Sequence, residues 1–458
     1  MPLALIASLP LTAATAAQPP SAVPALTLGQ AVEYALKNYP SIRVSQEQVN
    51  AATAGIQLAR TAYLPRIDTL ALVNRATRNN VFGLLLPQSV IPSMSGPVIG
   101  SNNFGTVWGS GVGALVLWEP FDFGLREANV ATASTARKQS EAGVKRSQFE
   151  VAVATADAYL TLVAAQETVR AAQAGVDRAE VVLRTINALV NSQLRPGADA
   201  SRAEAELAAA RTQLIQADQA VGVARATVSQ FVGLDPPRIA VSAPGLLQLP
   251  PERNVAPFDA AANPLAFEQS AVIERTRAQL RALERSYFPR FYLQGAAYAR
   301  GTGAETNGAR LGGLNGLAPS VQDYALGFSV TFPVSDLESL RAREAAQSAE
   351  IRAQVARAEQ IAVDLRAQWN RAVANLDGSR RVAANTPVQV SAARTATEQA
   401  TARYQSGLGT IDQVAEVQRL LTQAEIDDAL ARLAVWRALL GIAAAAGDIQ
   451  PFVAEATR

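Results

Sequence analysis

The pentapeptide Tyr-Leu-Pro-Arg-Ile occupies residues 63–67, and its counterpart Tyr-Phe-Pro-Arg-Phe occupies residues 287–291. The prolines of the two pentapeptides are as far apart as Pro40 and Pro264, so a whole segment recurs without a gap. Each copy is followed by a β-like stretch, a Gly-rich loop, a second β-like stretch and a very long helical stretch. This period is far longer than the roughly 20–50 residues of solenoid repeats, so it indicates two fused copies of one unit.

The repeat divides the chain into segments. We expect a signal peptide at 1–17, a first repeat at 18–233, a Pro-rich linker at 234–262, a second repeat at 263–447 and a short tail at 448–458. The apolar stretch Leu3–Leu11 and the small residues after it favour a signal peptide, although the usual basic residues are absent. A disordered Ala/Pro-rich tail is the alternative interpretation.

Composition excludes several classes of function. The 458 residues contain no His and no Cys, and Lys+Arg 41 against Asp+Glu 39 gives a net charge of +2. Metal sites built from Cys and His, thiol nucleophiles, disulfides and Ser-His-Asp relays are therefore excluded. The balanced charge gives no bulk attraction to nucleic acid. An enzyme that uses carboxylates or lysine survives these exclusions, but no paired-acid pocket can be picked out, so we expect no enzyme activity and no cofactor.

Long helices are predicted in both repeats. A first helix should run from Leu28 to Ala62, with Thr27 as its N-cap. The next helix, Leu125–Asn191, is about 67 residues long and would span about 100 Å. The break at 195–197 ends it, and Asp199 can cap the returning helix.

The second repeat predicts the same pair of helices. A long helix should start near Leu337, with weak points at Gly378 and Pro387. It should turn at 406–409 and return over residues 410–446. Each repeat thus predicts one antiparallel helical hairpin.

The two β-like stretches of the second repeat alternate with period 2, whereas the alternation in residues 66–77 and 106–121 is less regular. One face of the last stretch carries the apolar residues Tyr324, Leu326, Phe328, Val330 and Phe332, and the other carries Ala325, Gly327, Ser329 and Thr331. In the stretch that starts at Arg290, Phe291, Leu293, Gly295, Ala297 and Ala299 oppose Arg290, Tyr292, Gln294, Tyr298 and Arg300. This pattern fits a membrane barrel with lipid outside and water inside. A small soluble sheet packed on helices is the alternative, and Trp108 and Trp118 fit either an interfacial aromatic belt or such a sheet.

Four strands cannot close a membrane barrel, because such barrels begin at about eight strands. Several copies of the chain must therefore share one barrel if the strands lie in a membrane. Two copies would supply about eight strands and three copies about twelve.

The sequence resembles the TolC-like outer-membrane factor family of Gram-negative bacteria. The resemblance rests on residues 26–40, on both Tyr-x-Pro-Arg strand entries, on the junction at 120–124 and on the turn sequence at 403–407. It covers residues 26–447 and includes the duplication. Ser335 to Ser339 depart from the pattern, because this stretch lacks the Gly of its counterpart in the first repeat.

The resemblance implies a mainly α fold with a membrane β-barrel part. Long antiparallel helical hairpins would form a tube in the periplasm, and the four strands of each chain would be shared in a trimeric 12-stranded barrel in the outer membrane. It further implies a passive exit duct for efflux or type I secretion, whose partners are a periplasmic membrane-fusion adaptor, an inner-membrane pump and outer-membrane lipid. A soluble periplasmic coiled-coil scaffold or adaptor-like protein is the alternative function.

The resemblance also implies a periplasmic gate made of carboxylate rings. Glu416 falls on an acidic position of the family, whereas Asp412 lies one residue from the other expected acid, where Gln413 stands. Asp412 and Glu416 are four residues apart and share one helix face. Alternatively, Asp412 is a helix N-terminal acid favoured by the dipole and Glu416 is a solvated surface group.

The hairpin turns are the positions that the resemblance assigns to adaptor docking. In the second repeat these residues are Gly407, Leu408, Gly409 and Thr410, and in the first repeat they are Leu194, Arg195, Pro196 and Gly197. Gly and Pro are also what any helix break requires, so ordinary turn chemistry explains the same residues.

Overall fold

A computed structural model describes residues 25–77, 105–252, 257–305, 309–332 and 334–457. The predicted signal peptide lies outside the described residues. The helices are α1 (Leu28–Asn38), α2 (Pro40–Thr61), α3 (Leu125–Asn191), α4 (Gly197–Val232), α5 (Pro264–Arg285), α6 (Leu337–Gln405), α7 (Ile411–Ala446) and α8 (Gln450–Ala456). The strands are β1 (Arg66–Thr77), β2 (Thr106–Phe121), β3 (Arg290–Thr302) and β4 (Val321–Thr331).

Among the described residues, every helix and strand of the first repeat except α1 has a counterpart in the second, in the same order. Helices α2 and α5 both have 22 residues, and α4 and α7 both have 36. The long helices α3 and α6 have 67 and 69 residues. The chain folds into two compact units, and each unit takes segments from both repeats.

The predicted first helix is interrupted. Thr27 caps α1 through hydrogen bonds with Gln30, but α1 ends at Asn38, and Tyr39 has an extended backbone with ψ of 125° before α2 begins at Pro40. The prolyl ring disfavours helical geometry in the residue before it, so Tyr39 leaves the helix. The prediction of one continuous helix from Leu28 to Ala62 is therefore wrong at this residue.

The long helices have the predicted bounds. Helix α6 is continuous through Gly378 and Pro387, so neither weak point ends it. Near the proline, the side chain of Thr386 donates a hydrogen bond to the buried carboxylate of Asp428 at 2.8 Å. Contact with α7 thus holds α6 at the position where a proline costs it a backbone hydrogen bond.

The first compact unit comprises residues 1–40, 148–258 and 367–458, and its core surrounds Tyr159. The Tyr159 ring is fully buried, and its hydroxyl donates to the carbonyl oxygens of Leu26 at 2.8 Å and Ser242 at 3.1 Å. Burial raises the pKa of this phenol above its ordinary value. Tyr159 thus holds the N-terminal segment and the Pro-rich linker on the helices.

Helix α7 supplies much of the same core. By length and composition it is the one described helix that is apolar enough to cross a membrane. Half of its most apolar stretch is buried, and Leu433, Trp436 and Leu440 belong to the core. The Trp436 indole donates to the carbonyl oxygen of Gln248 in the linker at 2.9 Å. The tail that follows α7 forms α8, whose Phe452 packs edge-on against Trp436.

The second compact unit comprises residues 41–147 and 259–366 and contains one sheet. Its four strands are antiparallel, in the order β1-β2-β3-β4. In the described residues no strand pairs with the outer edge of β1 or of β4. The sheet therefore ends in two open edges.

The passage from β2 to α3 is fixed by a buried ion pair. Asp122 accepts hydrogen bonds from the backbone N–H of Arg126 at 2.7 Å and from its Nε at 2.9 Å, and both side chains are buried. Phe123 and Gly124 have positive φ angles of 52° and 87°. The corresponding passage in the second repeat is a short 3-10 turn, Val334–Asp336, so the stretch without the expected Gly uses a different turn.

Candidate functional site

The turn between α6 and α7 has a fixed backbone. Gly407 has φ of 82°, a conformation that only glycine adopts without cost, and Leu408 N–H donates to the carbonyl oxygen of Arg403 at 2.9 Å. Thr410 precedes α7, and its N–H donates to the side-chain oxygen of Gln413 at 3.4 Å. Gln413 therefore closes the start of the helix at the position where the resemblance implies an acid.

The turn between α3 and α4 is built differently. Gln193 has φ of 55°, Leu194 N–H donates to the carbonyl oxygen of Leu189 at 2.9 Å, and α4 starts at Gly197 directly after Pro196. The sequence predicts that Asp199 caps α4. In the structure Asp199 lies instead in the first turn of the helix. Pro196 stands in the capping position without a side-chain hydrogen bond, because proline has no group that can make one.

Tyr404 joins the two turns. The Arg195 guanidinium lies over its ring at 4.4 Å from the centroid and donates to its carbonyl oxygen. The Tyr404 hydroxyl donates to the Asp199 carboxylate at 2.8 Å. Burial, helped by the charge of Asp199, raises the pKa of Tyr404 to about 12, although Arg195 opposes the shift. We call Arg195, Asp199 and Tyr404 the tip network.

The two predicted gate residues have different surroundings. Both lie on α7 and are exposed. The Asp412 carboxylate pairs with Arg202 of α4 at 3.2 Å, and Arg202 also pairs with Glu206 at 3.2 Å. Among the described residues, none forms an ion pair with Glu416. Asp412 therefore has a cationic partner within the chain, which it shares with Glu206, whereas Glu416 has none among the described residues.

Buried apolar contacts support the tips. Ile186 of α3, Ala203 of α4, Tyr404 of α6 and the α7 residues Ile411 and Val414 form one cluster. All four helices contribute to it, so the tips of the two hairpins pack as one body. Leu194 and Leu408 project from this body, with 69% and 74% of their surface exposed.

The pairing register sorts the sheet residues onto two faces. On β3 and β4, Leu293 lies opposite Phe328, Gly295 opposite Leu326 and Ala297 opposite Tyr324, so the two apolar faces predicted from the sequence coincide. The register continues this face through β2 and β1, where it carries Trp118, Val116, Val112, Trp108, Ile67, Val73 and Arg75. We call it the outward face.

The opposite face is mostly polar or small on β3 and β4, whereas on β1 and β2 it also carries Leu70, Leu72, Leu115 and Leu117. It carries Arg290, Gln294 and Arg300 of β3 and Asp323 of β4, and Arg300 pairs with Asp323 at 3.3 Å. Glycines 109, 111 and 113 of β2 lie on the same face. A Cβ at Gly113 would stand 2.4 Å from the Cβ of Tyr298, so glycine makes room for that ring.

Aromatic side chains mark the end of the outward face that is nearest to the helices. Phe291 lies 6.0 Å from both Phe121 and Phe328 between ring centroids. Trp118 lies on the same face, and its indole donates to the carbonyl oxygen of Tyr63 at 3.2 Å. Trp108 stands ten residues before Trp118 on that face, a separation of about 34 Å along the strand. A strand tilt of about 40° reduces this to about 26 Å, close to the height of the apolar band of membrane barrels.

A sheet with an apolar outward face, aromatic borders and an inner face that carries Arg290, Arg300 and Asp323, joined to helical hairpins, defines the class of outer-membrane channels. The chain belongs to the outer membrane efflux protein family, whose sequence profile matches residues 31–234 and 260–448. A search of curated proteins finds no match.

Solved structures of outer-membrane channels share the fold. The chain superposes on the outer-membrane channel OprN with a TM-score of 0.70 and 20% identity, covering 92% of this chain and 89% of that chain. For the outer membrane protein VceC of Vibrio cholerae the TM-score is 0.70 at 16% identity, with coverage of 92% and 96%. For the open state of the Neisseria gonorrhoeae MtrE channel it is 0.71 at 18% identity, with coverage of 92% and 89%. The family and these relatives are channels rather than enzymes.

Proposed function

We propose that three copies of this chain form a passive exit duct in the outer membrane for efflux or type I secretion. Channels of the outer membrane efflux protein family are trimeric and work with adaptor and pump partners. The observation that carries the proposal is the four-stranded sheet with two open edges and an apolar outward face. An open edge is a template for pairing with another chain, and in lipid every backbone hydrogen bond has to be satisfied.

In the trimer, β1 of one copy pairs with β4 of the next, and the sheet closes into twelve strands. The outward face then meets lipid, and the face with Arg290, Gln294 and Arg300 lines the water-filled interior. Polar side chains on the inner face are thereby hydrated, whereas a soluble scaffold would leave the outward face in water.

The hairpin tips are the docking surface for a periplasmic adaptor. Leu194 and Leu408 are exposed on a body that the tip network holds together. Exposed apolar residues on a preformed surface bind a partner without an ordering cost. The pump that supplies the energy then reaches the duct through the adaptor.

The gate is assigned mainly to Glu416. Three uncompensated carboxylates at a constriction attract cations and hold back anions. Asp412 contributes less, because Arg202 pairs with it and offsets part of its charge. The proposed order of importance, Glu416 before Asp412, follows from this pairing.

Two measurements test the duct. After membrane fractionation the chain should be found with the outer membrane, and native mass spectrometry in detergent should give three copies. Planar bilayers should then show discrete conductance steps. A soluble chain, or trimers without conductance, would contradict the proposal.

A further inference from the structure

The loop between β3 and β4 lies on the outward face of the sheet. Ser110 and Gly301 are opposite each other on that face. A Cβ at Gly301 would stand 2.3 Å from the carbonyl oxygen of Ala318 and 2.8 Å from that of Gly316. Loop backbone therefore occupies the space above Gly301, and it leaves Ser110 only 8% exposed.

Backbone hydrogen bonds hold this loop in place. Gly303 N–H donates to the carbonyl oxygen of Trp108 at 2.8 Å, and Leu311 N–H donates to that of Gly303 at 2.9 Å. Gly316 has φ of 95°, and a Cβ there would stand 2.2 Å from the carbonyl oxygen of Trp108. The close approach of the loop to β2 thus requires glycine.

The loop presents leucines to its surroundings. Leu314 is 72% exposed, and Leu311 is 46% exposed. Both belong to the loop whose backbone covers Gly301 on the outward face. Two exposed apolar side chains on this loop are therefore available to enter an apolar phase.

A cation stands at the same end of the outward face. Arg75 lies two residues before the end of β1, its guanidinium carbon is 5.3 Å from the centroid of the Trp108 ring, and its Nε donates to Thr106 Oγ1 at 3.0 Å. A charged side chain on the lipid face costs about 2–4 kcal/mol at the membrane midplane but only about 0–1 kcal/mol near the interface. The Arg75 position is thus compatible with a lipid headgroup region.

We propose that Leu311, Leu314, Arg75 and Trp108 form an outer-leaflet anchor. The leucines enter the acyl region, and the Arg75 guanidinium binds the phosphate of an anionic glycolipid such as lipid A, with Trp108 at the interface. The proposal rests on the membrane placement of the sheet proposed above. It assigns the β3–β4 loop to the membrane surface and not to the mouth of the duct.

Because the chain has no Cys, single cysteines can report on their surroundings. An environment-sensitive fluorophore is attached to Leu314→Cys, to Val112→Cys on the outward face and to Leu408→Cys at a hairpin tip. Leu408 is the matched control, since its exposure of 74% is close to the 72% of Leu314. Labelled trimers are reconstituted into phosphatidylcholine vesicles that contain spin-labelled lipid, with or without lipid A.

The anchor predicts a blue shift and quenching by spin-labelled lipid at Leu314 and Val112, and neither effect at Leu408. Quenching at Val112 with a water-like signal at Leu314 would overturn the anchor and leave the duct intact. No quenching at either position would contradict both proposals. A blue-shifted Leu314 label without quenching would mean contact with protein, which also overturns the anchor.

The phosphate contact has its own variant. In a lipid A titration followed at the Leu314 label, Arg75→Gln should weaken the apparent affinity by about fivefold, the effect of one basic side chain at an anionic surface. Arg66→Gln is the control, because Arg66 lies on the opposite face at the other end of β1. Equal affinities of the unmodified chain and Arg75→Gln would overturn the assignment of Arg75.

Discussion

The hydroxyl of Tyr404 donates a hydrogen bond of 2.8 Å to the carboxylate of Asp199, and this bond joins the tips of two different helical hairpins. Tyr404 belongs to the last turn of α6, whereas Asp199 belongs to the first turn of α4. The bond thus fixes the relative position of the two turns that carry the proposed docking residues.

Tyr404→Phe should loosen the tips without unfolding the helices. The substitution removes the hydrogen bond to Asp199 and keeps a ring under the Arg195 guanidinium. Hydrogen bonds to charged groups contribute about 1.5–3 kcal/mol, so amide exchange in the last turns of α3 and α6 should accelerate correspondingly. The control is Tyr34→Phe, which removes the hydroxyl of an exposed tyrosine. Unchanged exchange at the tips would contradict the role of the bond.

The same bond predicts a dependence on alkaline pH. The pKa of Tyr404 is raised from 10.0 to about 12, so its contribution to stability is complete below pH 10 and is lost as the pH rises through about 12. The difference in tip stability between the unmodified chain and Tyr404→Phe should therefore shrink over this range. Tyrosinate absorbance, recorded for both proteins, measures the titration. A difference that stays constant up to pH 12 would contradict the shift.

Removing the gate carboxylates should open the duct. The double variant Asp412→Ala with Glu416→Ala should raise single-channel conductance in bilayers, because it removes the charged side chains from the proposed constriction. Of the single variants, Glu416→Gln should lower cation selectivity more than Asp412→Asn, since Arg202 already offsets part of the charge of Asp412. Unchanged conductance in the double variant would refute the gate, and equal effects of the single variants would refute the ranking.

A charge at a hairpin tip should prevent docking. Leu408→Glu places a carboxylate on the exposed apolar surface, so export activity should be lost while native mass spectrometry still shows trimers. Leu194→Glu should likewise reduce export activity while trimers remain intact. This variant tests the turn of the first repeat. Full export activity with Leu408→Glu would remove Leu408 from the docking surface.

The junction between β2 and α3 should be sensitive to loss of one charge. Asp122→Asn leaves the buried Arg126 without its ionic partner, which costs about 3–5 kcal/mol for buried pairs. The control is Glu141→Gln, which breaks the half-exposed pair with Arg137, and such exposed pairs contribute about 0–1 kcal/mol. The temperature at which the trimer dissociates measures the loss of stability in both variants. Similar losses for the two variants would contradict the special role of Asp122.

Much of the fold could be predicted from local sequence. Helix α3 ends at Asn191 and α6 starts at Leu337, as predicted, because glycines, prolines and polar turn residues mark these ends. The alternation in β3 and β4 predicted which residues share a face, and the register confirms it. Pro40 disfavours helical geometry at Tyr39, whereas the helical pattern on both sides of this residue predicts one continuous helix.

The contacts of the tip network could not be predicted in this way. The sequence predicts Asp199 as a helix-capping residue, but its side chain accepts a hydrogen bond from Tyr404, which lies in the other repeat. The pairing of Arg202 with Asp412 likewise crosses from one hairpin to the other. Such contacts depend on how the helices pack, which the local pattern does not encode. The hydrogen bonds of Tyr159 to Leu26 and to Ser242 of the linker could not be predicted for the same reason.

The open edges of the sheet also have a genetic consequence. A chain that completes its strand pairing only with two neighbours functions only as part of that assembly, so a defect in one chain affects all three. A variant that still pairs through β1 and β4 but fails at the tips would enter most assemblies when it is produced together with the normal chain. Loss of tip function is therefore expected to be dominant, whereas loss of strand pairing is expected to be recessive.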